Sequence, residues 1–312
     1  MMIGTDFIGR LGNQLFIYAF TRSLIERRQV KNERLLFNFK RSSAGSIEDG
    51  FCDSLQYFNV IPYETTTKDL ILRYGSLWQK LAYLFYMFCS HVPFIITNDK
   101  VMKYIDCYME KFNLFFTGAA DKARPISSLK YDNVFIRGYF ADRANFDAIR
   151  PILLSELTPI YAPLEHNKCL YEAASKENSV CISIRRGDYL NDKYKKNFYV
   201  CDENYFFHAI ELIKKKIKDP IFIFFSDDIQ WVREHFHDDD LPYFYESGND
   251  PVWEKLRLMY SCHHFIISNS TFSWWAQYLG RREDKIVISP SSWYANPQWS
   301  SNLIDENFIT IN

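Results

Sequence analysis

From Ser179 onward the chain shows short, continuous apolar runs, VCISI (Val180 to Ile184), IFIFF (Ile221 to Phe225), FIIS (Phe265 to Ser268) and KIVIS (Lys285 to Ser289). Runs of this length without polar alternation are the pattern of strands covered on both faces, as in a parallel sheet. Helical patterns fall between them, near Glu203 to Ile217, Ile229 to Phe236 and Thr271 to Leu279. Strands alternating with helices predict right-handed crossover units and a doubly wound α/β domain.

The first half reads differently. A short segment at Phe7 leads into a glycine turn, Gly9 to Gly12. A helix is predicted from Asn13 onward, with Leu15, Phe16, Ala19, Phe20 and Leu24 on one side. The stretch Thr65 to Lys130 is helix-rich and aromatic without repeats, VFIRGYF (Val134 to Phe140) reads as a strand ending at Gly138, and Ala144 to Leu157 looks helical. Pro163 and the polar runs EHNK and SKENS interrupt the apolar pattern between Tyr161 and Ser175. This places a boundary between domains 1–165 and 166–312, expected to face each other across a cleft.

The uncharged stretch Leu81 to Thr97 approaches the length of a minimal membrane span but contains Ser90, His91 and Pro93. It predicts a buried helix ending near His91 and a short strand after Pro93, with peripheral contact with a membrane surface left open.

Composition narrows the function. With 37 Lys and Arg against 38 Asp and Glu in 312 residues, no net field draws the whole molecule to nucleic acid or anionic lipid, so any anion site must be local. Hydrophobic residues make up 47%, enough to fill a sizeable core. Seven cysteines without a CxxC pair make a poor disulfide framework, and the first residues lack the apolar core of a signal peptide. Reduced thiols and a cytoplasmic location, with membrane association left open, are therefore the expectation.

The candidate chemistry lies where the apolar runs end. CISIRRGDY (Cys181 to Tyr189) sets Arg185, Arg186, Gly187 and Asp188 at the carboxyl end of a strand, the edge at which open α/β sheets bind ligands. Arginine stays charged and grips phosphate oxygens with a planar fork, so Arg185 can neutralise a departing diphosphate, and Gly187 allows a sharp turn. A surface ion pair is the bland alternative. The tripeptide Arg186, Gly187, Asp188 also matches an adhesion motif, but such a motif needs an exposed, flexible loop rather than the end of a buried strand.

FSDD (Phe225 to Asp228) brings Ser226, Asp227 and Asp228 to the same edge. A carboxylate there can accept from the N1 and N2 donors of guanine. The rival readings are a metal-binding pair and a helix cap, and capping by Asp228 with guanine recognition by Asp227 satisfies both sequence signals. SNSTFSWW (Ser268 to Trp275) follows a strand and opens a helix, so its free amides form a second phosphate cradle, with Asn269, Ser270, Thr271 and Ser273 as contacts. Trp274 and Trp275 are expected to pack beneath the sheet. The acidic triplet Asp238 to Asp240 reads as a solvated loop. His263 and His264 are expected to diverge and are not spaced as metal ligands. GRLGNQ (Gly9 to Gln14) lacks the spacing of either nucleotide-binding fingerprint.

Taken together, GRLGNQLFIYAF, FIRGYF, ISIRRGDY, FSDDIQWVREHF and KLRLMYSCHHFIISNSTFSWWAQYLG resemble the bacterial α-1,2-fucosyltransferases of glycosyltransferase family 11, over most of the chain. The resemblance implies a GT-B-like architecture whose C-terminal half binds GDP-fucose, with Ser183, Arg185, Arg186, Gly187, Ser226, Asp227, Asp228, Asn269, Ser270, Thr271 and Ser273 on the donor. It implies an acceptor-side N-terminal half carrying the loop Gly12, Asn13, Gln14. The implied reaction is inverting and needs neither metal nor cofactor: the 2-hydroxyl of a terminal galactose in an oligosaccharide acceptor attacks as GDP leaves; the alternatives are another GDP-sugar transferase, such as an α-1,6-fucosyltransferase, and a noncatalytic glycan-binding protein of the same fold. Arg185 and Asp188 are the expected catalytic pair, with Asp188 as general base or as the partner that orients Arg185. Two departures stand out: Ser183 occupies a position where the family usually has histidine, and Ala141 one where related sequences often have glutamine.

Overall fold

The computed structural model describes residues 1–28, 33–42, 52–116, 132–237 and 241–312. The chain divides into two compact units, Met1–Leu157 and Thr158–Asn312. The division falls eight residues before the expected position at 165, because Tyr161 and Leu164 already belong with the second unit: the Arg257 guanidinium donates to the Tyr161 carbonyl at 2.6 Å, and the Leu164 amide donates to Glu254 at 3.0 Å.

The N-terminal unit begins with β1 (Met2–Asp6) and α1 (Leu11–Arg28), followed by β2 (Arg34–Asn38) and β3 (Glu64–Thr66). Four helices follow, α2 (Leu70–Tyr74), α3 (Leu77–Ser90), α4 (Pro93–Ile96) and α5 (Asp99–Glu110). β4 (Leu114–Phe116), β5 (Asn133–Arg137) and α6 (Arg150–Glu156) complete the unit. The sheet is parallel in the order β3-β2-β1-β5-β4. Strand alternation separates its two faces. Leu114, Phe116 and Phe135 join Ala82, Tyr83, Ile105 and Met109 of α3 and α5, while Phe115 meets Phe20 of α1 at 5.9 Å between ring centres.

Three expectations change here. The first strand precedes Phe7 rather than containing it, and α1 starts at Leu11, so Gly12 and Asn13 are helical. That helix is buried on nearly every side through Leu24, because loop 52–54 and α6 cover the side that periodicity left polar. After Pro93 the chain forms α4, not a strand, since Pro93 stands at the first helical position, where it lacks no needed donor.

The C-terminal unit runs α7 (Lys168–Ala174), β6 (Ser179–Ile184), α8 (Asp192–Phe198), α9 (Glu203–Lys216), β7 (Ile221–Ser226), α10 (Ile229–His235) and β8 (Tyr243–Tyr245). It continues through α11 (Val252–Ser261), β9 (His264–Ile267), α12 (Thr271–Leu279), β10 (Val287–Pro290) and β11 (Ile309–Ile311). All six strands are parallel, in the order β11-β10-β9-β6-β7-β8. One face of the sheet packs Val180, Ile182, Ile184, Phe222 and Phe224 under Ile210 and Ile213 of α9. Complete burial of each such side chain contributes about 1.5–3 kcal/mol. β8 and β11, three residues each, carry no apolar run long enough to read.

Strand order decides where a ligand can enter. From β6 the chain steps outward through β7 to β8, then returns to the other side of β6 for β9 and continues to β10 and β11. The order therefore reverses between β6 and β9, and the carboxyl ends of strands at such a reversal are where open α/β sheets bind ligands.

Candidate active site

Both loops at that reversal are the ones the sequence singled out. Ser183 pairs with Ile267 across β6 and β9, and the Ser268 amide donates to the Ser183 carbonyl at 3.2 Å. The Tyr189 hydroxyl donates to the Asn269 carbonyl at 3.1 Å. The arginine loop and the mouth of α12 thus lie side by side.

Arg185 is the electrostatic centre. Its side chain is 19% exposed, pairs with Asp188, lies 2.8 Å from Asp227 through Nη1, and sits 5.5 Å from the Tyr189 ring centre. Burial works against its charge, but Asp227 and Asp188 outweigh that effect, and the guanidinium is held more firmly protonated than in water. The two ion pairs engage two of the five N–H donors that a guanidinium carries. Arg186 lies flat on Trp231, with 3.3 Å from guanidinium carbon to ring centre, and its Nε is 3.4 Å from Asp228. Stacking and ion pairing fix its direction.

Asp227 does not present itself to a base as expected. One oxygen takes the ion pair with Arg185, and the other accepts from the Arg186 amide at 3.0 Å. Its position makes it the post on which the arginine loop is hung. Gly187 is required there for space rather than for an unusual turn: its φ is not among the positive ones, yet a Cβ would lie 2.3 Å from Asp227 Oδ2. Asp228 caps α10, accepting from the Trp231 amide at 3.4 Å, and the Ser226 hydroxyl accepts from the Asp228 amide at 3.0 Å. Both acidic residues are thus committed to arginines and backbone amides.

Three other expected contacts prove to be braces. Ser183 and Ser273 are buried and share a 2.6 Å hydroxyl bond, and Ser273 continues to Ser268 at 3.1 Å. The serine in the histidine position of the family motif therefore ties β6 to α12 instead of facing the crevice. Asn269 is 2% exposed and donates to the carbonyls of Phe198 at 2.7 Å and Trp293 at 2.9 Å. Ser270 and Thr271 remain partly exposed at the start of α12, and Ser270 makes no side-chain cap bond. The amides of the first helical turn have no intrahelical acceptor and carry the positive end of the helix dipole.

Trp274 and Trp275 are buried as expected. His263 and His264 do not diverge; their rings stack at 4.2 Å, because the chain enters β9 between them and both are held inward. His263 pairs with Asp284, His264 accepts from the Ile286 amide, and burial lowers the His264 pKa to about 4. The triplet Asp238 to Asp240 lies outside the described residues.

In the N-terminal unit, Gln14 is fully buried. It donates to the carbonyls of Gly9 and Cys52 and accepts from the Ser54 amide, which makes it a clamp on the loop rather than a sugar contact. Gly12 is also buried, and Asn13 alone of that trio is partly exposed. Gly9 adopts a left-handed φ of 75°, and Asn13 occupies the space a side chain there would need. Ala141 is buried, so it cannot replace a polar contact. In this unit β1 and β5 lie side by side, and Arg137 of FIRGYF donates to Asp6 at 2.5 Å and pairs with Asp69 at 3.2 Å. Sequence reasoning missed Arg137, Tyr189 and Trp231; each stands within a quoted block, but only their partners reveal them.

This architecture is similar to the crystal structure of NodZ alpha-1,6-fucosyltransferase soaked with GDP-fucose, with a TM-score of 0.51 and 14% identity, covering 93% of this chain and 94% of that one. The fold is GT-B-like, and the protein is a glycosyltransferase. The sequence model of glycosyl transferase family 11 matches residues 107–311, more than half of the chain, and the chain belongs to that family. The O-antigen biosynthesis glycosyltransferase WbnK of Escherichia coli is 28% identical over 95% of this chain and 96% of its own length. An alpha-1,2-colitosyltransferase of Escherichia coli is 32% identical over 47% of this chain and 52% of its own. The human galactoside alpha-(1,2)-fucosyltransferase 1 is 27% identical over 32% of this chain and 28% of its own.

Proposed function

We propose that the protein transfers L-fucose from GDP-β-L-fucose to the 2-hydroxyl of a terminal galactoside, with inversion and without a metal ion. The observation that carries this reading is the placement of Arg185 and the α12 mouth on adjacent strands at the strand-order reversal. A diphosphate seated there would meet the guanidinium on one side and helix amides on the other. Negative charge on the leaving GDP grows as the glycosidic bond breaks, so donors held rigid beforehand stabilise the transition state more than the ground state. Asp227, Asp188 and Tyr189 supply that rigidity to Arg185. Because Asp188 is paired with Arg185, its geometry favours an orienting role over that of general base. The acceptor is assigned to the N-terminal unit, with Asn13 as its partly exposed polar candidate.

A second donor follows from the colitosyltransferase relative: colitose is fucose without its 3-hydroxyl, and the diphosphate strategy is indifferent to that change. The test is a donor screen with a galactoside acceptor and chelator, reading GDP release and product linkage by NMR. GDP-fucose should be consumed, the product should be α-1,2-linked, and Arg185→Ala should reduce turnover by about a thousandfold. An unchanged rate in Arg185→Ala, or no turnover of GDP-fucose, rejects the proposal; preferential use of GDP-colitose selects the second donor.

A further inference from the structure

α3 has two apolar faces. Ala82, Tyr83 and Cys89 pack into the N-terminal unit, whereas Leu77, Trp78, Leu81, Leu84, Phe85 and Phe88 are between 48% and 67% exposed. Their spacing puts all six on one side of the helix. α4 adds Phe94, 77% exposed, and α5 adds Tyr104, 74% exposed. Between α3 and α5 runs an open groove of about 420 Å³, lined by Trp78, Leu81, Phe85, Tyr104, Tyr108 and Phe112 among others. Scattered exposed apolar side chains are ordinary, but a contiguous face marks a contact surface.

The charges around this face identify its occupant. Arg73, Lys100, Lys103 and Lys111 are exposed, while the carboxylates of Asp106 and Glu110 are buried. Along α5 and its C-cap the order Lys100, Tyr104, Tyr108, Lys111 follows helical spacing, and Lys111 Nζ stands 5.2 Å from the Tyr108 ring centre. A second copy docked symmetrically would bring these cations against one another. Aromatic rings flanked by lysines instead match the boundary between anionic headgroups and acyl chains. Among the described residues no helix is long and apolar enough to cross a membrane, so the contact would lie along the surface.

We propose that the α3–α5 face docks the protein on an anionic lipid bilayer. Trp78, Phe85 and Phe88 enter the acyl boundary, a lipid chain fills the groove, and the lysines meet the headgroups. The surface is independent of the donor site, so vesicle sedimentation without nucleotide or acceptor tests it separately from the proposed reaction. The protein should pellet with phosphatidylcholine vesicles containing about 30% phosphatidylglycerol, bind pure phosphatidylcholine about tenfold more weakly, and dissociate in about 0.5 M NaCl. Leu81→Glu/Phe85→Glu should reduce binding at least about tenfold, and Lys100→Glu/Lys103→Glu should abolish the preference for anionic lipid. Circular dichroism and GDP binding report whether each variant is folded. The proposal is overturned if the folded wild-type protein stays in the supernatant, or if either folded variant binds as the wild type does. It is equally overturned if sedimentation shows a dimer that Leu81→Glu/Phe85→Glu separates while vesicle binding is unchanged.

Discussion

Arg185 has its orientation set by Asp227 and Asp188 before any ligand arrives, and Asp227 in turn leans on a glycine that leaves it room. Gly187→Ala should push the Asp227 carboxylate aside and lower kcat/KM for transfer by about ten- to a hundredfold, since small misplacements at a reacting centre are costly. Melting temperature should change little, and steady-state kinetics beside a thermal melt will separate the two effects. Asn269 acts on stability instead. Its amide satisfies two carbonyls in a buried position, so Asn269→Ala should destabilise the C-terminal unit by about 2–4 kcal/mol, measurable by urea unfolding. The two substitutions look alike in sequence, because each falls in a polar loop after an apolar strand, yet one governs charge placement and the other the loop's backbone.

At the scale of elements, β9 links the candidate site to solution pH. His264, at its first position, is buried beside His263, and its pKa lies at about 4 rather than the usual 6.5. The unfolded chain therefore binds a proton between pH 6.5 and 4 that the folded chain refuses, and stability should fall as pH is lowered through that window. His264→Gln should flatten the decline in melting temperature over this range, whereas an equal slope in both proteins would place the effect on other groups. α3 shows the limit of periodicity at the same scale: its apolar pattern gives a helix and its end near His91, but the pattern is equally apolar on its buried and exposed faces. Only the packing of α5 and the sheet distinguishes them.

For the whole molecule, the division into two compact units, Met1–Leu157 and Thr158–Asn312, predicts a response to nucleotide confined to one of them. GDP should raise the melting temperature of the C-terminal unit by several degrees at about a hundredfold excess over its dissociation constant, with or without chelator. Arg185→Ala should remove most of that shift. Calorimetry will resolve it, and a shift that depends on added magnesium would contradict a diphosphate site built from protein charges alone.

The chain's own pattern determined the strand runs VCISI, IFIFF and FIIS, the helices between them and the polar loops at their ends, because strand and helix periods and local capping chemistry are written over a few adjacent residues. It also marked Arg185, Asp228 and the start of α12 as residues at a ligand edge. Tertiary structure alone decided which polar residues face the crevice and which brace it. Ser183, Ser273, Asn269 and Gln14 have the same composition as ligand contacts, and only partners between 5 and about 90 residues away show them to be occupied. Hydrogen-bond satisfaction is a property of the folded neighbourhood, and burial makes it compulsory there, so a sequence can nominate a polar side chain without revealing to whom it is already bound.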